Sequence, residues 1–196
     1  MNIFENLKNM QKKKWQSRLF GCLISIGILL IIIAILASIK VTVYLDYQNT
    51  AYGFKMKYPG HWTRIDKPEG GAVVAFVSPK ESDLDTLLEN LNISFHDLSV
   101  KPLTLEQFSQ MATFQLTVTF GELVTVVTSE SAPVSRYSGY KFVYDVGEEE
   151  GKKARFLHYW IVERNKAFIF TYFGKPDDFN KNKGILNKML GSFELI

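Results

Sequence analysis

Three histidines, two acidic clusters and one cysteine are the residues with which this 196-residue chain could do chemistry. His61, His96 and His158 fall on three separate predicted elements, so a zinc site would need the fold to bring them within ~2.1 Å of one ion, beside a carboxylate or water. His158 shares a predicted strand face with Phe156 and Trp160, which favours a packed, hydrogen-bonded histidine at the edge of the core. Glu81, Asp83 and Asp85 alternate like the first ligands of a calcium loop. Thr86, however, stands where the tight-turn glycine belongs, and Asn92 where the closing glutamate belongs. These three acids are weak metal candidates, for calcium at millimolar concentration, and no other cofactor is expected. Glu148, Glu149 and Glu150, followed by Lys152 and Lys153, read as a solvated hairpin tip. Cys22 has no second cysteine to pair with, so the chain holds no internal disulfide.

No Gly-x-Ser-x-Gly elbow, His-Glu-x-x-His helix, phosphate loop or paired-cysteine metal motif occurs, which leaves the common hydrolase, metalloprotease and nucleotide-dependent classes without support. A non-enzymatic chain with no catalytic residues is the expectation. The many aromatic residues, among them Tyr140, Phe142, Tyr144, Trp160, Phe168, Phe170 and Tyr172, lie on neighbouring predicted strands and are expected to pair as core rather than to line a ligand groove. Asn92-Ile93-Ser94 is a formal glycosylation acceptor, but it falls inside a predicted strand.

The run from Leu19 to Ile39 contains no charged residue, and Lys8, Lys12, Lys13, Lys14 and Arg18 precede it. At 1.5 Å of rise per residue it spans roughly 30 Å, the thickness of a bilayer's hydrocarbon core. It reads as a signal-anchor helix, its basic flank holding the N-terminus in the cytoplasm and sending the rest across the membrane. A cleaved leader would be shorter and would end in a small-x-small site, which this run lacks; Cys22 precedes most of the apolar stretch, whereas lipoprotein processing needs that stretch before the cysteine. The expected organisation is a cytoplasmic basic tail over 1–18, the span over 19–39, a juxtamembrane linker over 40–50 and one extracytoplasmic domain over 51–196, in a periplasm, at a cell surface or in a thylakoid lumen. From Lys40 onward 18 basic and 19 acidic residues nearly cancel, so the pI near 8.8 belongs to the tail and a nucleic-acid partner is not expected.

The elements of this domain follow from periodicity. Phe54-Lys55-Met56-Lys57-Tyr58 alternates like a half-buried strand and ends at Pro59-Gly60, with Trp62 as an anchor. Residues 72–77 read as an interior strand, and Leu91, Ile93 and Phe95 as one face of another. Thr104 and Gln107 form a capping box ahead of a helix whose Leu105, Phe108, Ala112 and Leu116 face a sheet. Strands at 123–128, 140–146, 154–163 and 167–173 follow, the last three joined by short turns into an antiparallel meander. Asp177 is expected to cap a final helix ending at Gly191, before a short strand over 192–195. The fold class is α+β, an antiparallel sheet with helices packed on it.

These residues carry a family resemblance. Tyr52-Gly53-Phe54 leading through Tyr58-Pro59 to Trp62 resembles the opening signature of the PsbP-like domains. The 90–94 strand, the Leu105-Glu106-Gln107-Phe108 helix start, Gly139-Tyr140 and the closing Gly191-Ser192-Phe193-Glu194 agree in order. The chain is thus identified as a bacterial or archaeal, membrane-anchored member, over about residues 47–196. The resemblance implies the fold shared by PsbP and the Mog-type Ran-binding proteins. It also implies an accessory or assembly role at a membrane protein complex. One variant of that role lies beside the calcium- and manganese-containing oxygen-evolving centre of photosystem II; an envelope small-molecule-binding or enzymatic ectodomain is the reading from another class. No family metal motif matches residue by residue, and the oligomeric state is not set by sequence.

Overall fold

The computed structural model describes residues 28–29, 31, 42–80, 82–83, 87–147, 153–177 and 179–196. Thr42–Ile196 forms one compact unit. Of the expected span, Ile28, Leu29 and Ile31 are helical and exposed, and the rest lies outside the described residues, as does the 148–152 hairpin tip. Among the described residues no helix is long and apolar enough to cross a membrane.

The compact unit contains two antiparallel sheets. β1 (Tyr44–Asn49), β2 (Phe54–Pro59) and β10 (Glu194–Leu195) make the small one, in the order β1-β2-β10. The large one holds β3 (Thr63–Asp66), β4 (Val74–Val77), β5 (Asn90–Asp97), β6 (Val124–Ser131), β7 (Tyr140–Val146), β8 (Ala154–Glu163) and β9 (Lys166–Gly174), in the order β3-β4-β5-β9-β8-β7-β6. Among the described residues two α-helices complete it, α1 (Leu105–Phe120), followed by a 3-10 turn over Gly121–Leu123, and α2 (Lys183–Gly191). The α+β reading and the meander both hold. β8 and β9 join through a two-residue turn in which Arg164 and Asn165 both take positive φ, the backbone twist a tight hairpin requires.

Period-two alternation divides the aromatic residues between two cores. Phe168, Phe170 and Tyr172 of β9, with Leu157 and Ile161 of β8, face Phe54, Met56 and Tyr58 of the small sheet and Leu186, Met189 and Leu190 of α2. Phe142 and Tyr144 of β7, with Trp160 of β8, face the other way and are covered by Phe108, Ala112 and Leu116 of α1. The central strands of the large sheet are therefore buried on both faces, which is why they carry apolar residues at odd and even positions alike. The residues of the opening and closing signatures are core residues: Phe54, Tyr58, Trp62 and Phe193 are all buried, and Phe193 packs edge-on against Phe168 and Phe170 at 5.4 and 4.9 Å.

Two local expectations are corrected, and one strand is new. Residues 44–49, expected to be linker, form β1: Tyr47 is buried against Phe54 and Phe76, so the folded unit begins near residue 42. Polar Asp46, Gln48 and Asn49 obscure the alternation. Asp177 does not cap α2. That helix starts at Lys183, with Asn182 as its N-cap and no side-chain cap bond, after turns at 176–177 and 179–182 in which Phe179 packs against Tyr172. β3, exposed along its whole length, has no hydrophobic period from which to be read.

Candidate docking face on helix α1

The capping box expected at the start of α1 is present: Thr104 Oγ1 accepts from the Gln107 backbone N–H at 3.2 Å, and Gln107 Oε1 accepts from the Thr104 N–H at 2.9 Å. Below this start, Phe108, Ala112 and Leu116 turn inward onto β7 and β8. The opposite side of a surface helix is ordinarily charged. Here it carries Met111, Phe114 and Val118, which are 46, 70 and 64 % exposed and, at spacings of three and four, form a single stripe. From Gln107 to Gly121, fifteen consecutive positions, no residue is ionisable, and Glu106 and Glu122 bracket the interval.

Beside the stripe runs a groove of about 680 Å³. Leu105, Glu106, Ser109, Gln110, Thr113 and Phe114 form one wall; Ser131 and Tyr140 stand opposite. Tyr140 is fixed in place, its ring stacked on Trp160 at 5.7 Å and its hydroxyl 2.7 Å from Ser129 Oγ. Glu106 is the groove's one charged side chain. β6, the last strand of the large sheet, has no strand paired to its outer edge among the described residues and exposes Val126 and Val127. The stripe was not among the residues expected to have a role, although its signal lay in the sequence, as fifteen uncharged positions with bulky residues out of phase with the buried face.

The chemically competent side chains are dispersed. His61 lies exposed in the turn after β2, His96 exposed on β5 and His158 buried on β8. Tyr144 Oη lies 3.1 Å from His158 Nε2, and Thr171 Oγ1 lies 3.0 Å from Nδ1, so both ring nitrogens are satisfied by hydroxyls. Burial pushes the imidazole pKa down to about 4 and the Tyr144 phenol up to about 12. His158 is the packed, hydrogen-bonded histidine that its strand face implied. Asp83 lies exposed in a turn, and Glu81 and Asp85 fall outside the described residues. Among the described residues no three His, Cys, Asp or Glu side chains gather to hold a metal ion.

On the opposite face a smaller groove of about 200 Å³ lies between α2 and β6–β8, lined in part by Lys141, Arg155 and Lys183. Two of these cations are already paired. Arg155 donates to both carboxylate oxygens of Asp145, at 2.7 and 2.9 Å, and Lys141 donates to Glu130 at 2.9 Å. That pairing holds the Arg155 pKa up and leaves the groove little net charge to attract an anion.

A seven-stranded antiparallel sheet with one helix on one face, and a helix plus a small sheet on the other, defines the PsbP/Mog1-like class of α+β domains. The chain belongs to the PsbP family, whose profile matches residues 42–195. No curated protein matches it. Among solved structures it is similar to the cyanobacterial PsbP protein CyanoP of Synechocystis sp. PCC 6803, with 19 % identity over 81 % of this chain and 96 % of that one and a TM-score of 0.58. It is also similar to LpqN of Mycobacterium tuberculosis, involved in cell envelope biogenesis, with 9 % identity over 80 % and 92 % and a TM-score of 0.58. A third is the Saccharomyces cerevisiae Ran-binding protein Mog1p, with 10 % identity over 79 % and 96 % and a TM-score of 0.51. At these identities the likeness is one of fold.

Proposed function

We propose that this protein is a non-enzymatic accessory or assembly factor, anchored in the membrane by residues 19–39, whose extracytoplasmic PsbP domain docks on a membrane protein complex. The observation that carries the reading is the uncharged, exposed face of α1. Burying a large apolar side chain is worth about 1.5–3 kcal/mol, and three in one stripe are a considerable driving force left unused in the isolated domain. The sequence of the span supports the anchor, since tethering confines the domain to a thin layer beside the bilayer and raises its effective concentration toward partners there. An envelope role such as LpqN's and a photosynthetic one such as CyanoP's name suggests are both compatible with the fold, which does not choose between them.

The enzymatic alternative has less to stand on. His158, the one buried histidine, touches hydroxyls rather than a carboxylate, and the α1 groove contains no histidine. The test is purification from native membranes after cross-linking, with the full chain as bait. One complex recovered reproducibly, together with protease sensitivity of the domain only from the extracytoplasmic side, is the expected result. Absence of any reproducible partner, or a domain digested from the cytoplasmic side, overturns the reading.

A further inference from the structure

We infer that the occupant of the α1 face is a helix of a different protein, uncharged along about four turns and carrying Lys or Arg at both ends. This rests on the accessory-factor reading and specifies its contact. The dimensions come from α1: its sixteen residues span ~24 Å, Glu106 lies in its first turn and Glu122 in the short 3-10 turn just beyond its end at Phe120, with nothing ionisable between the two acids. Upstream, Asp97 and Lys101 offset each other in formal charge, and downstream the next charged group, Glu130, is held by Lys141. The helix is thus uncharged along its length after Glu106, which lines the groove at its start, and is followed by a second acid, Glu122, just past its end. A helix laid along Met111, Phe114 and Val118, with side chains entering the groove beside Tyr140, meets like surface with like along its length and satisfies both acids only if its own ends are basic.

Charge also argues against the other occupants. A bilayer surface favours helices with Lys or Arg along the polar boundary; α1 has no cation, and its two glutamates would face anionic headgroups. A second copy pairing α1 with α1, parallel in register or antiparallel, sets acid against acid at both ends. An extended segment added to the free edge of β6 would leave Phe114 and Val118 uncovered on the helix. The contact rests on three large exposed side chains of one helix, which suits a protein whose tether supplies the effective concentration.

The experiment uses the full chain in nanodiscs and two synthetic helical peptides of about sixteen residues with the same uncharged middle, one ending in lysines and one in glutamates. The lysine-ended peptide is expected to bind roughly fivefold or more tightly than the other, the range set by two exposed charge pairs. Phe114→Lys should abolish binding without moving the melting temperature, and Glu106→Lys with Glu122→Lys should reverse the preference. Equal binding of the two peptides, or binding unchanged by Phe114→Lys, overturns the inference. A photo-cross-linker at position 114 in native membranes should label a helical segment with basic ends; labelling of lipid, of a second copy or of a strand lying on β6 overturns it. If the wild-type chain and Phe114→Lys recover the same complex equally, the contact is wrong and the accessory role stands. If the peptides discriminate as expected while no complex is recovered, the contact stands and the accessory role falls.

Discussion

His158 is held neutral by its surroundings, and that makes it a pH-dependent contributor to stability. Its folded pKa of about 4 lies below the ordinary value of 6.5, so above pH 6.5 both states are neutral, whereas between 6.5 and 4 the unfolded chain takes up a proton that the folded one refuses. Stability is therefore full above 6.5 and falls as pH drops through this window. Denaturant titrations at pH 7 and pH 5 should differ by about 2 kcal/mol from this residue, and His158→Gln should flatten that difference. The Asp145–Arg155 pair acts differently: Asp145→Asn removes the charge that a half-buried guanidinium needs and should cost about 2–3 kcal/mol. Gly139 is a third residue whose role only the fold explains. A Cβ there would lie 2.6 Å from the Ala132 carbonyl oxygen and 3.1 Å from that of Trp160, both backbone atoms, so Gly139→Ala should destabilise by about 2 kcal/mol or more in thermal melts. Gly191, from the same set of landmarks, meets nothing within 4 Å and should accept alanine readily.

Element boundaries were legible wherever local chemistry sets them. The α1 start was readable because Thr104 and Gln107 satisfy each other's backbone groups whatever else the chain does, and Thr104→Ala should cost about 1 kcal/mol by removing one half of that exchange. The α2 start was not readable. Asp177 is an acceptable cap by type, but Phe179 packs on Tyr172 and Arg155 within turns that come before the helix. β1 and β3 escaped for another reason: they are edge strands with little buried surface, so alternation is faint and pairing with β2 and β4 defines them. The period of α1 revealed its buried face at once, whereas its outer face required noticing what was missing, namely charge.

At the level of the whole molecule, the folded unit begins at β1, not at residue 51. A chain starting at Thr42 should unfold cooperatively, while one starting at Ala51 loses Tyr47 and the whole β1–β2 ladder and should lose at least 3–5 kcal/mol, read from denaturant midpoints. The sequence by itself determined the α+β class, the meander, the absence of disulfides and the family, because each depends on composition, short-range periodicity or an ordered set of landmarks. Only the tertiary structure decided that the aromatic strands are buried on both faces in two separate cores, that Tyr47 belongs to one of them, and that His158 is sealed between two hydroxyls. It also left the Met111, Phe114 and Val118 stripe uncovered. Strand order and layer packing bring together residues as distant as Phe54 and Phe193, or leave a helix face bare, through long-range contacts that local pattern does not encode.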